Sequence, residues 1–362
     1  MLNEESSGFG TILSGKKSLA VSDNAKPFVS IIILNFNGKS YLKDCFSSLQ
    51  TIDYPTSKFE VIFVDNGSID GSAEYVQEEF PWVSIIRLNK NIGFGGGNNQ
   101  GVRFVKGDYV IFLNNDTKVT QKWLSELVQS AIGFSVPICS SKTLLMEKPD
   151  IIDYGGGKFT LNGRGYSISF GKENNCSTAC SLTGYPCAAS MLIKKQVFAD
   201  LYGFDEDYFA CLDDTDLGWR AWLFGYRVLY CPTSVVYHEA GGTSGKGRLS
   251  PMKAFHGTKD SFLTVLKNLE WQNVPFGVFL DLSYDLVEFF LLLKNRDLEC
   301  IRSKIQAYSW LFKNLGRILQ KRTLVQGKRV ISDKWLTKMR FLTTLNEAWQ
   351  EYQRLSKLFP QT

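Results

Sequence analysis

A chain of 362 residues is too long for one ordinary core and too short for three, so one large domain with an appendage is expected. Hydrophobic residues at 44% and charged residues at 21% exclude a largely disordered chain. The net charge of +5 is unevenly placed: between Cys300 and Arg340 eleven Lys and Arg face the single acid Asp333, and the remainder is slightly acidic.

Residues 1–26 are polar, rich in Ser, Gly and Lys, and lack the apolar core of a signal peptide, so they read as a flexible N-terminal arm of a cytosolic protein. The eight cysteines are scattered, and Cys45, Cys139 and Cys231 sit inside apolar runs, as reduced packing residues do. Cys176, Cys180 and Cys187 come closest to a metal cluster, yet no CxxC pair or nearby His completes one.

From Phe28 onward short apolar runs alternate with amphipathic ones. "FVSIIIL" (28–34), "FEVIFV" (59–64), "VSIIRL" (83–88) and "YVIFL" (109–113) are apolar nearly throughout, as suits strands covered on both faces in a parallel sheet. Between the first two, Ser40 can cap a helix that places Leu42, Cys45, Phe46 and Leu49 on one face. Residues 71–80 and 98–105 are weaker helical segments. The repeated strand, helix, strand order predicts an α/β fold with ligands beyond the carboxyl ends of the strands.

The residues that follow the four strands are all polar, acidic or glycine-rich: "NFNG" (35–38), "DNGSIDGS" (65–72), "NKNIGFGGGNNQG" (89–101) and "NNDT" (114–117). The glycines do not spell GxGxxG, because Asn98 and Gln100 stand where the last glycine belongs, and no GxxxxGK[ST] is present. What remains is a flexible loop able to approach a ligand, leading into a helix whose N-terminus can face an anion. Asp65 ends a strand where a carboxylate commonly accepts from a ribose or a base edge, although an Asx turn at Asp65 or Asn66 uses the same residues.

A second acidic cluster, Asp213, Asp214 and Asp216, precedes the helical "LGWRAWLFG". Three carboxylates there either complement the helix dipole or supply a general base and hold an incoming hydroxyl. His238, one of two histidines, follows the apolar "SVVY". If it meets Asp116, the nitrogen and oxygen pair suits Mn2+ or Mg2+, with phosphate oxygens and water completing the shell.

From about Ser261 the pattern becomes long and amphipathic. Residues 274–293 have the length of a membrane span, but Asp281, Asp285 and Glu288 interrupt it, which favours a buried or interfacial helix. Ile305, Tyr308, Phe312, Leu315 and Leu319 recur at helical spacing among Lys and Arg, as in a bundle helix against the catalytic domain or a surface for anionic lipid. No nucleic-acid motif accompanies the charge.

Taken together, "SIIILNFNG", "VIFVDNGSIDGS", "NKNIGFGGGNNQG", "YVIFLNNDT", "GYPCAASMLIKKQVF", "GFDEDYFACLDDTDLGWRAW" and "VVYHEAGGTSG" resemble the family 2 glycosyltransferases, especially rhamnosyltransferase-like and galactofuranosyltransferase-like members. The resemblance implies a GT-A fold, a Rossmann-like α/β architecture with a mostly parallel sheet flanked by helices, over residues 27–260, followed by a helical, basic extension over 261–362. It implies a nucleotide-sugar donor, dTDP-rhamnose or a UDP-sugar, bound by Asn35, Asn37, Asp65, Asn91, Gly93, Asn99 and Asn115. Asp116 and His238 would hold Mn2+ or Mg2+, Asp214 would be the catalytic base, and Asp213 and Asp216 would support it or hold the acceptor. Asn114 departs from the family's DxD motif by replacing its first acid. The implied reaction inverts the anomeric carbon and builds cell-surface polysaccharide on a glycan or lipid-linked acceptor. The location would be cytoplasmic, with a peripheral place on the inner face of the membrane as the alternative.

Overall fold

The computed structural model describes residues 26–175, 178–239, 249–343, 346, 347 and 350. The expected arm, Cys176 and the glycine-rich stretch after Glu239 lie outside these residues, apart from Lys26.

The first half alternates as the hydrophobic runs demand: β1 (Val29–Asn35), α1 (Lys39–Leu49), β2 (Phe59–Asp65), α2 (Ser72–Glu79), β3 (Ser84–Arg87), α3 (Gly93–Val102) and β4 (Tyr109–Asn114). There follow β5 (Thr117–Val119), α4 (Trp123–Gly133), β6 (Ile138–Leu145), β7 (Ile152–Tyr154), β8 (Gly157–Phe159), β9 (Gly165–Ser167), β10 (Ser181–Leu182) and β11 (Ser190–Lys194). The chain continues through α5 (Lys195–Asp200), α6 (Asp213–Leu223), β12 (Val228–His238), α7 (Pro251–Asn268), α8 (Val274–Lys294), α9 (Leu298–Lys313), α10 (Leu315–Gly327) and α11 (Asp333–Lys338).

The main sheet runs β10-β12-β6-β11-β4-β1-β2-β3, with β5 added on β12 and β7 on β6. Its pairings make β3, β2, β1, β4, β6 and β12 point one way, and β11 is inserted antiparallel between β4 and β6. Both faces are covered, which explains the unbroken apolar runs. Val29, Ile31 and Ile33 of β1 enter one core with Phe46 of α1 and Trp123 and Leu127 of α4. Ile32 enters the other with Phe198 of α5 and Trp219 and Trp222 of α6. Each such fully buried side chain contributes about 1.5–3 kcal/mol of transfer free energy.

Two local expectations are corrected. Ser40 lies inside α1 and not at its cap; Gly38 occupies the cap position, and Asp70 Oδ2 accepts from the Lys39 N–H at 2.9 Å. The glycine run is not a flexible loop but the body of α3, which begins five residues earlier than the 98–105 segment. The glycines let this helix press onto the sheet: a Cβ on Gly97 would overlap Leu34 Cδ1, and one on Gly101 would stand 3.0 Å from Ile32 and Val64.

The boundary expected at residue 260 falls within α7, which packs against α9 and α10. Farther along, the chain returns to the hairpin β8–β9, where Phe159 N–H donates to Phe341 O at 2.7 Å and Thr343 N–H to Phe159 O at 2.9 Å. Aromatic stacking reinforces the return, with Phe159 on Trp219 at 4.5 Å and Trp222 on Phe341 at 4.6 Å.

Part of the basic segment is paired inside the protein. Lys321 bridges Asp205 and Asp207, Arg317 meets Asp207 at 2.7 Å, Lys304 meets Asp285 at 2.9 Å, and Arg329 meets Asp333 at 3.1 Å. Lys304, Arg317 and Lys321 are thus matched by acids from earlier in the chain. Of the apolar stripe read either as a bundle face or as a lipid-facing surface, Ile305 and Phe312 face outward, while Cys300, Ile301, Lys304, Ala307 and Leu311 face inward.

Candidate active site

Because six main strands run in one direction, the ends of β1, β2, β4 and β12 share an edge, and reversed β11 begins there. Register places Asn35 beside Asp65 and Leu34 beside Asn114. A chain of hydrogen bonds then laces three loops together. Asn115 Nδ2 donates to Asn35 Oδ1 at 2.6 Å, and Asn35 Nδ2 donates to Ser68 Oγ at 3.1 Å. Ser68 Oγ also accepts from the Asn37 N–H at 2.9 Å, and Asn37 Oδ1 accepts from the Ile69 N–H at 2.9 Å. Asp65 Oδ1 accepts from the Ser68 N–H at 3.2 Å, so this buried carboxylate is tied to the backbone three residues on. Ser68 was not singled out in the sequence; its only signal was its place three residues after Asp65.

Buried Asn66 organises the third loop. Its Nδ2 donates to Asn91 Oδ1 at 2.9 Å and to Gly93 O at 3.2 Å, and its Oδ1 accepts from the Ile92 N–H at 3.1 Å. Asn91 Oδ1 accepts in turn from the Gly93 N–H at 2.9 Å, and the Phe94 N–H donates to Phe209 O at 2.8 Å. The first two N–H groups of α3 are thus satisfied within the chain and not held open for an anion. Asn99, expected in the donor pocket, is held within the chain: its amide donates to Phe204 O at 2.9 Å and Glu206 Oε1 at 3.1 Å and accepts from the Phe204 N–H, fastening α3 to the segment before α6.

Asp116 and His238 do meet. Asp116 is buried; its Oδ1 has no hydrogen-bond partner and lies 3.4 Å from His238 Nε2. The other ring nitrogen, Nδ1, is 2.8 Å from Asp153 Oδ2, and Asn114 Nδ2 stands 3.5 Å from Nε2. Burial would lower the imidazole's affinity for a proton, but the facing carboxylates of Asp116 and Asp153 outweigh it, lifting the pKa to about 10. A carboxylate fixing Nδ1 while Nε2 faces a second, orphaned carboxylate is the donor set that second-shell support of a histidine ligand requires. These residues fit a divalent cation. Among the described residues no group of three His, Cys, Asp or Glu converges on one point, so non-protein oxygens would complete such a shell. Asp153 went unread in the sequence, where "IIDYGGG" carries no motif.

The aspartates at α6 divide by environment. Leu212, in the left-handed region at φ 60°, turns the chain into the helix. Asp214 Oδ2 accepts from the Ala188 N–H at 3.1 Å and Oδ1 from the Thr215 N–H at 2.7 Å. The same turn holds β4, since the Asn114 N–H donates to Ala189 O at 3.1 Å. Burial raises the Asp214 carboxyl above the usual carboxylate range, and these N–H donors oppose the rise. Asp213 goes well above it, through burial and the charges of Asp260 and Asp214, and its Oδ1 has no partner. Asp216, expected to support the base or hold the acceptor, is fully buried and receives Arg220 Nε at 2.8 Å, Lys267 Nζ at 2.8 Å and Asn268 Nδ2 at 3.0 Å. Burial would raise Asp216 too, but Arg220 and Lys267 outweigh it and lower it. The Cys187 thiol is raised by burial and then by the charges of Asp214, Asp153 and Asp116.

Residues 30–194 match the Glycosyl transferase family 2 model. The chain carries a family 2 glycosyltransferase domain. Among its relatives is the N-acetylglucosaminyl-diphospho-decaprenol L-rhamnosyltransferase of Mycobacterium tuberculosis, 23% identical over 271 residues that cover 68% of this chain and 86% of that protein. The O-antigen biosynthesis protein RfbC of Myxococcus xanthus is 29% identical over 227 residues, 59% of this chain but only 17% of RfbC. Mannosyltransferase PcManGT from Pyrobaculum calidifontis, solved with GDP-Man and Mn2+, superimposes with a TM-score of 0.51 at 14% identity over 97% of this chain and 92% of that one. S. aureus TarS 1-349 with UDP gives 0.50 at 17% identity over 90% and 92%. At these identities the structural likeness establishes the GT-A fold of the glycosyltransferase, with its C-terminal helices, and nothing finer.

Proposed function

We propose that the glycosyltransferase is inverting and metal-dependent, and that it moves a sugar from a nucleotide-sugar donor to a glycan or lipid-linked glycan during cell-surface polysaccharide assembly. The observation that carries the reading is the array Asp153, His238, Asp116, tied through the turn at residues 187–189 to Asp214. A non-catalytic nucleotide-sugar binder would need no carboxylate beside such an array.

In this reading Asn35, Asn37, Asp65 and Asn115 hold the nucleoside end of the donor, and Asn91 and Gly93 shape the wall beside it. Asp116 and His238 would hold Mn2+ or Mg2+, which when bound stabilises the charge growing on the departing diphosphate. Asp153 keeps His238 oriented so that Nε2 faces that charge. Asp214, its carboxylate held by two backbone N–H groups, takes the proton from the acceptor hydroxyl as its oxygen attacks the anomeric carbon opposite the diphosphate. Asp213, driven toward its protonated form, donates a hydrogen bond to the acceptor. The bond formed and the bond broken lie on opposite faces of that carbon, so its configuration inverts.

The rhamnosyltransferase relative favours dTDP-rhamnose over a UDP-sugar, and its decaprenol-linked acceptor favours a lipid-borne one met at an anionic membrane surface by the C-terminal helices. No helix among the described residues is long and apolar enough to cross a membrane. Turnover of dTDP-rhamnose and of UDP-sugars with and without Mn2+, in wild type and Asp214→Asn, tests the reading. Metal-dependent turnover abolished by Asp214→Asn supports it; nucleotide-sugar binding without turnover points to the binder.

A further inference from the structure

Helix α8 is built inside out. Its acids Asp281 and Asp285 are buried, while Phe279, Leu286, Val287 and Phe290 are each more than half exposed. The rotation is fixed by polar contacts that cannot be exchanged for the apolar side: Asp281 Oδ2 accepts from Ser261 Oγ at 2.6 Å, and Asp285 accepts from Thr258 Oγ1 at 2.9 Å, Tyr308 Oη at 2.7 Å and Lys304 Nζ at 2.9 Å. Turning the apolar stripe inward would leave two buried carboxylates facing solvent and their buried partners, Lys304 included, unpaired.

The outward stripe runs from Phe276 to Leu293, roughly 27 Å at 1.5 Å per residue. Its exposed positions carry no charge until Lys294. Helix α9, packed against α8, adds exposed Leu298, Ile305 and Phe312. Four exposed cations border these side chains, Lys294, Arg296, Arg302 and Lys313, against one exposed acid, Glu299. A second copy of the chain would bring the same cations to the contact, whereas an anionic bilayer brings phosphates. Large apolar side chains rimmed by Lys and Arg on a helix lying along the surface are what the headgroup region accommodates.

We infer that the outer face of the α8–α9 hairpin docks the glycosyltransferase on an anionic lipid surface, with Phe279, Leu286, Val287 and Phe290 entering the headgroup region and Arg302 and Lys313 meeting phosphates. The aim of such docking, access to a lipid-borne acceptor, rests on the proposed function; the docking itself is read without turnover.

The test is co-sedimentation of the full chain with phosphatidylglycerol and phosphatidylcholine vesicles, beside light scattering for oligomeric state. Wild type is expected to partition at least tenfold better onto the anionic vesicles. Val287→Asp with Phe290→Asp should lose at least tenfold of that binding while keeping its melting temperature, since both side chains already face solvent. Arg302→Glu with Lys313→Glu should abolish the preference for anionic lipid. Failure of wild type to bind vesicles, unchanged binding in the aspartate variant, or a wild-type dimer that the aspartate variant converts to monomer would each overturn the inference. Vesicle binding by a protein that turns over no nucleotide sugar would leave docking standing and overturn only the proposed function.

Discussion

Asp153 Oδ2 stands 2.8 Å from His238 Nδ1, on the side of the imidazole away from Asp116. The contact fixes which ring nitrogen faces Asp116, and so connects the short strand β7 to the end of β12. Replacing Asp153 with Asn keeps a hydrogen-bonding group but removes the charge behind the ring. Mn2+ affinity, read by titration calorimetry, should fall about 10- to 100-fold. The melting temperature of the metal-free protein should change little by comparison. Unaltered Mn2+ affinity would remove Asp153 from the site.

Asp214→Asn removes the proposed base while preserving shape. Turnover should drop by about 10²–10⁴, the usual range for general base catalysis, with donor KM nearly unchanged. The carboxyl of Asp214 lies above the usual carboxylate range. A base works deprotonated, so kcat/KM should fall as pH is lowered, with its acid limb at a higher pH than an ordinary aspartate would give. A limb that survives in the Asn variant would assign it to another group.

The junction between the catalytic half and the C-terminal helices should be acid-sensitive. Burial would raise Asp205, but Lys267 and Lys321 outweigh it and hold the carboxyl far below its ordinary value of 3.8. Its contribution to stability is therefore complete above 3.8 and is lost as pH falls below that value. Asp281 works in the opposite sense: burial, only partly offset by Arg164, lifts it to about 6, so its contribution is complete below 3.8 and lost as pH rises through about 6. Chemical denaturation of wild type and Asp281→Asn from pH 3 to 8 checks both signs. The Asn variant should lack the decline between about 4 and 6 while keeping the loss at the acid end.

Gly97→Ala should push α3 off β1, because its Cβ meets Leu34 Cδ1 in the core. The expected destabilisation is about 1–3 kcal/mol, typical of an overpacked core. Adding Leu34→Ala should recover part of the α3 contact, so the double variant should lose less than the two single losses combined. Strict additivity would mean the two residues do not press on one another.

The parallel sheet was legible because its strands are buried on both faces, which leaves runs such as "SIIIL" with no alternation to disguise them. The strand-end loops were legible for a related reason: polar residues that interrupt such runs gather at one edge, and Asp65, Asn115, Asp116 and His238 do gather there. How Asn99 and Asp216 are held was not legible, because an amide or a carboxylate looks the same in sequence whether it fastens two segments or faces a ligand; only the donors around them tell. The glycines of α3 read as a loop because helix propensity penalises them, while the tight contact with Leu34 that requires them is tertiary. Asp153 had no local signal at all, since its partner lies 85 residues away. The eleven bases of the C-terminal segment looked like a surface because the acids that neutralise several of them, Asp205, Asp207 and Asp285, are scattered through earlier parts of the chain.

The pairing of Thr343 with Phe159 joins residues separated by 184 positions. During synthesis, then, the layer around Trp219 and Trp222 stays open until Phe341 and Thr343 have left the ribosome, and the nascent chain must carry those aromatic faces unpaired in the meantime. A cut anywhere between α7 and α10 would not trim an ornament from a finished enzyme. It would strand the glycosyltransferase at an unfinished stage of its own folding, with the acids that await Lys321 and Arg317 unneutralised.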